Sequence, residues 1–143
     1  MADEDVVGYA GDLTPIEAWE ILKDEESAIL VDVRTDAEWN YVGIVDLSSL
    51  NKEPSTISWV LFPDNSPNEK FVSGVEAICA DKHTKVISIC RSGVRSISSS
   101  IALTNAGFSQ AYNVLEGFEG DKDGNDHRAT IGGWKMRGLP WKQ

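Results

Sequence analysis

Basic residues are scarce in this chain: 13 Lys and Arg stand against 23 Asp and Glu, for a formal net charge of −10. A surface of that sign repels phosphate backbones and anionic headgroups, which argues against nonspecific binding to nucleic acid or to a membrane. Long apolar runs are missing as well, and none approaches the roughly 20 residues of a bilayer span. The segment Met1-Ala2-Asp3-Glu4-Asp5 is acidic where a secretory signal is basic, so a cytoplasmic protein is expected. Cysteine is limited to Cys79 and Cys90, with neither zinc-type spacing nor a disulfide framework, a usage that suits reducing surroundings and a reactive thiol. No repeat, low-complexity tract or linker divides the chain. Its 143 residues, 41% of them apolar, fit one domain with one core. The expected division is a mobile acidic lead-in over residues 1–11 and a single domain over residues 12–143.

What is present is an alternation of strand and helix signals. Thr14-Pro15-Ile16-Glu17 reads as a helix start, with Thr14 as N-cap, Pro15 in the first turn and Glu17 closing a capping box. Leu13, Ile16, Trp19 and Leu22 make its apolar stripe, and the helix should end between Lys23 and Glu26. Ala28 to Val33 is a buried strand interrupted by Asp32 at its carboxyl end, and Thr35 can cap a short helix after it. Thr56 to Phe62 is compatible with a strand, and Pro63 to Asn68 is rich in turn residues. Phe71, Val75, Ile78 and Cys79 share one helical face, which places Cys79 in the core as a small hydrophobe. Lys85 to Ile89 and Ala111 to Leu115 read as two more strands, and Asn105-Ala106-Gly107 as a helix stop. His83 falls in a turn. Asp121 to Asp126 has the look of a calcium loop but fails in detail, with Gly124 at the fourth position and Gly132 where a bidentate glutamate is needed, so an acidic turn is expected and no metal site. The pattern as a whole predicts an α/β protein, a mostly parallel sheet with helices on both faces.

The chemistry concentrates in Cys90-Arg91-Ser92-Gly93-Val94-Arg95-Ser96. This loop joins the strand ending at Ile89 to a helix over Ser96 to Ala106, in which Ile97 and Ile101, with Phe108 beyond, recur on one face. At such a joint the loop amides and the first free N–H groups of the helix converge and the helix dipole adds positive potential, so an anion is favoured. That anion is the thiolate of Cys90, flanked by the positive charge of Arg91 and Arg95. Gly93 suits a loop that curls its amides inward, because the curl commonly needs positive φ.

These residues resemble the active-site loop of the rhodanese family of sulfurtransferases. Leu30-Val31-Asp32-Val33-Arg34 with Glu38-Trp39, Asn113-Val114-Leu115-Glu116-Gly117-Phe118, and Gly133-Trp134 through Gly138-Leu139-Pro140-Trp141 resemble other segments of single-domain members, so the likeness runs from about Leu13 to Trp141. It implies the three-layer rhodanese-like fold and a reaction in which Cys90 takes a sulfane sulfur from a small anionic donor such as thiosulfate. A thiol or a sulfur-carrier protein would then accept the sulfur from a Cys90 persulfide, and no cofactor is implied. By the same resemblance Arg91, Ser92, Gly93, Val94, Arg95 and Ser96 form the substrate cradle. Asp32 and Arg34 either buttress that loop or form an ion pair that only fixes the strand end. Gly43-Ile44-Val45-Asp46-Leu47-Ser48 departs from the Gly-His-Ile-Pro-Gly-Ala of many rhodaneses, and the enlarged connection up to Pro67 either lines the mouth of the site or is a passive surface loop.

Two other readings stay open at this stage. Related cysteine-dependent phosphatases and arsenate reductases use a Cys-x5-Arg ring; here the sixth residue after Cys90 is Ser96, and the arginine arrives one residue earlier. A non-catalytic rhodanese-like docking module is the second.

Overall fold

The computed structural model describes residues 8–61, 64 and 66–143. In chain order the elements are β1 (Gly11–Leu13), α1 (Pro15–Asp24), β2 (Ile29–Asp32), α2 (Asp36–Tyr41), β3 (Ile44–Val45), a 3-10 turn (Ser48–Leu50) and β4 (Ser55–Thr56). They continue with β5 (Val60–Leu61), β6 (Ser66–Pro67), α3 (Phe71–Ile78), β7 (Val86–Ile89), α4 (Arg95–Asn105), β8 (Ala111–Val114) and β9 (Trp141–Lys142). Five strands form one sheet in the order β1-β8-β7-β2-β4, every neighbouring pair parallel. The register sets Asp32 beside Ile89, so the carboxyl ends of β2 and β7 come out side by side. Loops from those ends form the site, as in other parallel sheets.

Alternation along the strands gives the sheet two buried faces. Leu30, Ile87, Ile89 and Val114 pack with Ala18 and Leu22 of α1 and with Phe118, Trp134 and Leu139 of the C-terminal segment. Val31, Val86 and Ala111 pack on the other side with Phe71 and Val75 of α3, Leu103 of α4, and Cys90. The fold is therefore the α/β, helix-covered parallel sheet that the pattern predicts.

The local start signals hold. Thr14 accepts from the Glu17 N–H while Glu17 accepts from the Thr14 N–H, closing the capping box at 3.1 and 2.9 Å. Thr35 and Glu38 form a second box at the head of α2.

Several expectations need correction. Leu13 lies in β1, not on the α1 stripe, and Ile16 is exposed; the buried residues of α1 are Pro15, Ala18 and Leu22. Ile78 is exposed, because α3 ends there and Cys79, which is buried, leaves the helix as its C-cap. The stretch from Thr56 to Leu61 is broken between β4 and β5, while Phe62, Pro63 and Asn65 lie outside the described residues. The largest difference is in α4. Its buried residues are Ser96, Ser99, Ser100 and Leu103, whereas Ile97 and Ile101 are only half-buried. Serine is small enough for the helix to lie close to β8, and each hydroxyl finds an acceptor: Ser99 on the Ser96 carbonyl and Ser100 on the Tyr112 carbonyl, at 3.0 and 3.1 Å.

Of the acidic lead-in, residues 1–7 fall outside the described residues, and the sheet begins at Gly11, with the Ala10 N–H already donating to the Ala111 carbonyl. His83 sits in a turn against Ser109. In the acidic turn Asp123 accepts from the Asn125 and His127 N–H groups and from the Thr130 hydroxyl. Among the described residues no helix is long and apolar enough to cross a membrane.

Candidate active site

Cys90 directly follows β7, and the chain turns through Gly93, at φ +98°, into α4. The turn brings donors onto the sulfur. The Gly93 and Ser96 N–H groups point at Cys90 Sγ from 3.1 and 3.4 Å, and Ser96 Oγ lies 3.2 Å from it. Cys90 is 1% exposed, so its sulfur forms the floor of a cleft instead of a surface knob. The cleft encloses about 670 Å³; beside the loop residues Cys90, Arg91, Ser92, Val94 and Arg95 it is lined by Thr35, Ala37 and Glu38 of the α2 start and by Val60 of the enlarged connection. That connection therefore contributes a wall to the site.

The amides face inward because the carbonyls are held outward. The Cys90 carbonyl accepts from the Phe118 N–H at 2.8 Å, and the Arg91 carbonyl accepts from the Glu119 and Gly120 N–H groups at 2.9 and 3.1 Å. Gly117, at φ +63°, permits this approach: a Cβ there would lie 2.5 Å from the Cys90 carbonyl oxygen. Behind the sulfur a polar chain crosses the sheet. The Ser96 hydroxyl donates to Asn113 Oδ1, Asn113 Nδ2 donates to Asp12 at 2.9 Å, and the Tyr9 hydroxyl donates to Asp12 at 2.7 Å. Burial and the Asp12 contact push the Tyr9 hydroxyl up to about 12. A hydroxyl carries one proton, so while Ser96 donates to Asn113 it accepts from the Cys90 thiol; a sulfur anion can instead draw that proton to itself.

The two loop arginines differ. Arg91 is exposed at the cleft rim, whereas Arg95 is half-buried and donates through Nη1 and Nη2 to the two carboxylate oxygens of Glu38 at 2.8 and 2.9 Å. Glu38 Oε1 also accepts from the Thr35 N–H at 3.1 Å. Burial pushes the Glu38 carboxyl up, but the Arg95 and Thr35 hydrogen bonds and the charges of Arg95 and Arg34 outweigh it and hold the carboxyl below its usual range. Burial likewise pushes the Arg95 guanidinium down, and Glu38, with smaller contributions from Cys90 and Asp32, more than restores it.

Asp32 and Arg34 do not reach the cleft. They form a pair with no exposed side-chain surface, Arg34 Nη2 standing 2.7 Å from Asp32 Oδ2 and 2.7 Å from the Gly43 carbonyl. The Arg34 guanidinium lies 4.3 Å over the Phe118 ring. Its link to the Cys90 loop is thus indirect, through the residue whose N–H holds the Cys90 carbonyl.

Sequence reasoning did not assign site roles to Thr35, Ala37, Glu38 or Asn113, and it reached Val60 only as part of the enlarged connection. Two of these carried a signal: Thr35-x-x-Glu38 has capping-box spacing, which fixes Glu38 on the first turn of α2, and Asn113 is an amide inside an otherwise apolar strand.

A parallel α/β sheet with a cysteine held in an amide cradle beyond the end of its central strand defines a class of α/β folds built around a cysteine loop. Within that class the family is specific. The model of the rhodanese-like domain matches residues 14–123, and the chain belongs to that family. A crystal structure of Rv0390 from M. tuberculosis is 47% identical with a TM-score of 0.87, the match covering 94% of this chain and 98% of that one. An uncharacterised protein of Rickettsia conorii is 37% identical over 126 residues, 87% of this chain and 91% of its own. The polysulfide-sulfur transferase homodimer of Wolinella succinogenes, at 19% identity and a TM-score of 0.62 over 97% of this chain and 82% of its own, shares the fold.

Proposed function

We propose that the protein is a sulfurtransferase that carries sulfane sulfur as a persulfide on Cys90, from thiosulfate or a similar small donor to a thiol or sulfur-carrier acceptor. The observation that carries this reading is the cradle itself: two backbone N–H groups and a hydroxyl within 3.4 Å of one sulfur, in a ring that closes one residue short of Cys-x5-Arg. A single sulfur atom fits a cradle so drawn in. The arginine that a phosphate clamp would need is committed to Glu38 through both terminal nitrogens.

In the first half-reaction the Cys90 thiolate attacks the outer sulfur of thiosulfate. An S–S bond forms at Sγ, the bond to the sulfonate sulfur breaks, and its electron pair leaves on sulfite. The Gly93 and Ser96 N–H groups stabilise the negative charge of the bound persulfide, and the Ser96 hydroxyl turns to the sulfur. Arg91, exposed at the rim, meets the sulfonate. In the second half-reaction the acceptor thiolate attacks the terminal sulfur and the Cys90 thiolate is regenerated. Sulfur moves at no net cost in electrons, so the cycle calls for neither metal nor redox cofactor.

Intact mass after incubation with thiosulfate tests this. A gain of about 32 Da, removed by cyanide and missing in Cys90→Ser, is expected. A reduced, accessible Cys90 that takes up no sulfur from any sulfane donor would point instead to a docking module, and Cys90-dependent turnover of an aryl phosphate would point to a phosphatase.

A further inference from the structure

The side chains lining the cleft include two cations, Arg91 and Arg95, and one anion, Glu38. Both Glu38 oxygens face Arg95, and the pair is only partly exposed, at 18% for the Glu38 side chain and 26% for that of Arg95. One of the two positive charges that the loop brings to the site is therefore already countered before any substrate arrives. Of the rest of the wall, Thr35, Ala37, Val60, Ser92 and Val94 supply no charge, and the Cys90 thiolate at the floor adds a negative one. The protein's overall charge of −10 adds no attraction for an anion.

We infer that Glu38 sets the charge selectivity of the site, biasing it against dianionic sulfur donors and toward monoanionic ones. This rests on the sulfurtransferase reading and deepens it. A unit charge at the rim acts twice as strongly on a dianion as on a monoanion at the same distance. The matched probes are thiosulfate, a dianion, and the methanethiosulfonate anion, in which a methyl group replaces one charged oxygen. Each delivers the same sulfur to Cys90: the new S–S bond forms at Sγ, the bond to the oxidised sulfur breaks, and its electron pair departs on sulfite or on methanesulfinate.

The test is the second-order rate constant of Cys90 persulfide formation, followed by intact mass, with both donors in wild type and in Glu38→Gln. Glutamine keeps an oxygen for the Thr35 N–H and so preserves the capping box while removing the charge. In the variant the rate constant is expected to rise roughly tenfold with thiosulfate and roughly threefold with methanethiosulfonate, the square-root relation that a charge effect imposes. Ala37→Lys leaves the Glu38–Arg95 pair in place and adds a positive charge at the same rim; it must move the donor ratio in the same direction, which keeps the inference testable should Glu38→Gln fold poorly. Equal factors for the two donors, or no change, in either folded variant would overturn the assignment while leaving sulfur transfer standing. A wild type that takes sulfur from neither donor would overturn the sulfurtransferase reading and this inference with it.

Discussion

Two arginine–carboxylate pairs near the Cys90 loop, Arg34–Asp32 and Arg95–Glu38, do different work. Arg34–Asp32, at the end of β2, has no exposed side-chain surface, and its remaining contacts are to the Gly43 carbonyl and the Phe118 ring. Arg95–Glu38, between α4 and α2, is partly exposed and lines the cleft. In a fully buried pair each charge depends on its partner, since water cannot replace a lost one. In a pair at the rim of a cleft, water and ligands compete for both groups, and the pair can be adjusted without loss of the fold. The first pair is architecture, and the second tunes the site.

The comparison breaks most sharply at Asp32. Asp32→Ala leaves the Arg34 guanidinium buried without its partner and should cost about 3–5 kcal/mol in urea unfolding. Replacing both members by apolar residues, as in Asp32→Leu with Arg34→Met, should recover much of that loss; if it does not, the pair contributes more than mutual neutralisation. Next comes the contact between the two regions. Gly117→Ala puts a methyl group against the Cys90 and Arg91 carbonyls at a positive φ, which should cost about 2–3 kcal/mol and slow sulfur loading by displacing the cradle amides.

Glu38→Gln should cost about 1 kcal/mol or less, several times below Asp32→Ala in the same denaturation series. The smallest effect is its dependence on pH. The Glu38 carboxyl is held below its usual range in the folded protein, so its contribution is present in full above the unfolded value of about 4.3 and is lost as pH falls through the lower folded value. The stability difference between wild type and Glu38→Gln should therefore be constant from pH 7 to about pH 5 and shrink below about pH 4. A difference that grew on acidification would mean that Glu38 is not held as an anion by Arg95.

Much of the fold and the centre of the site could be read in the residues, and the reason is that their determinants are local. Thr14-Pro15-Ile16-Glu17 fixes a helix start within four consecutive residues, and the capping box forms as its spacing requires. The apolar runs ending at Asp32 and Ile89 become neighbouring parallel strands, and a cysteine followed by Gly93 and a helix marks the cradle. Burial was less legible. The hydrophobic period of α4 pointed to Ile97 and Ile101, but the face against β8 is built from serines, because close approach of a helix to a sheet selects small side chains whose hydroxyls the backbone can satisfy.

Sequence alone determined where Cys90 lies, which strand and helix hold it, and that its loop brings an arginine one residue earlier than Cys-x5-Arg does. Tertiary structure decided how the charges around it are spent. Arg95 lies 57 positions from Glu38 in the chain, and nothing near either residue announces that they meet. Likewise Ser96, Asn113 and Asp12 become one polar chain only when α4, β8 and β1 come together. Spacing along a chain fixes which groups a turn or a helix end presents; which distant charge answers them is fixed by the packing of the sheet.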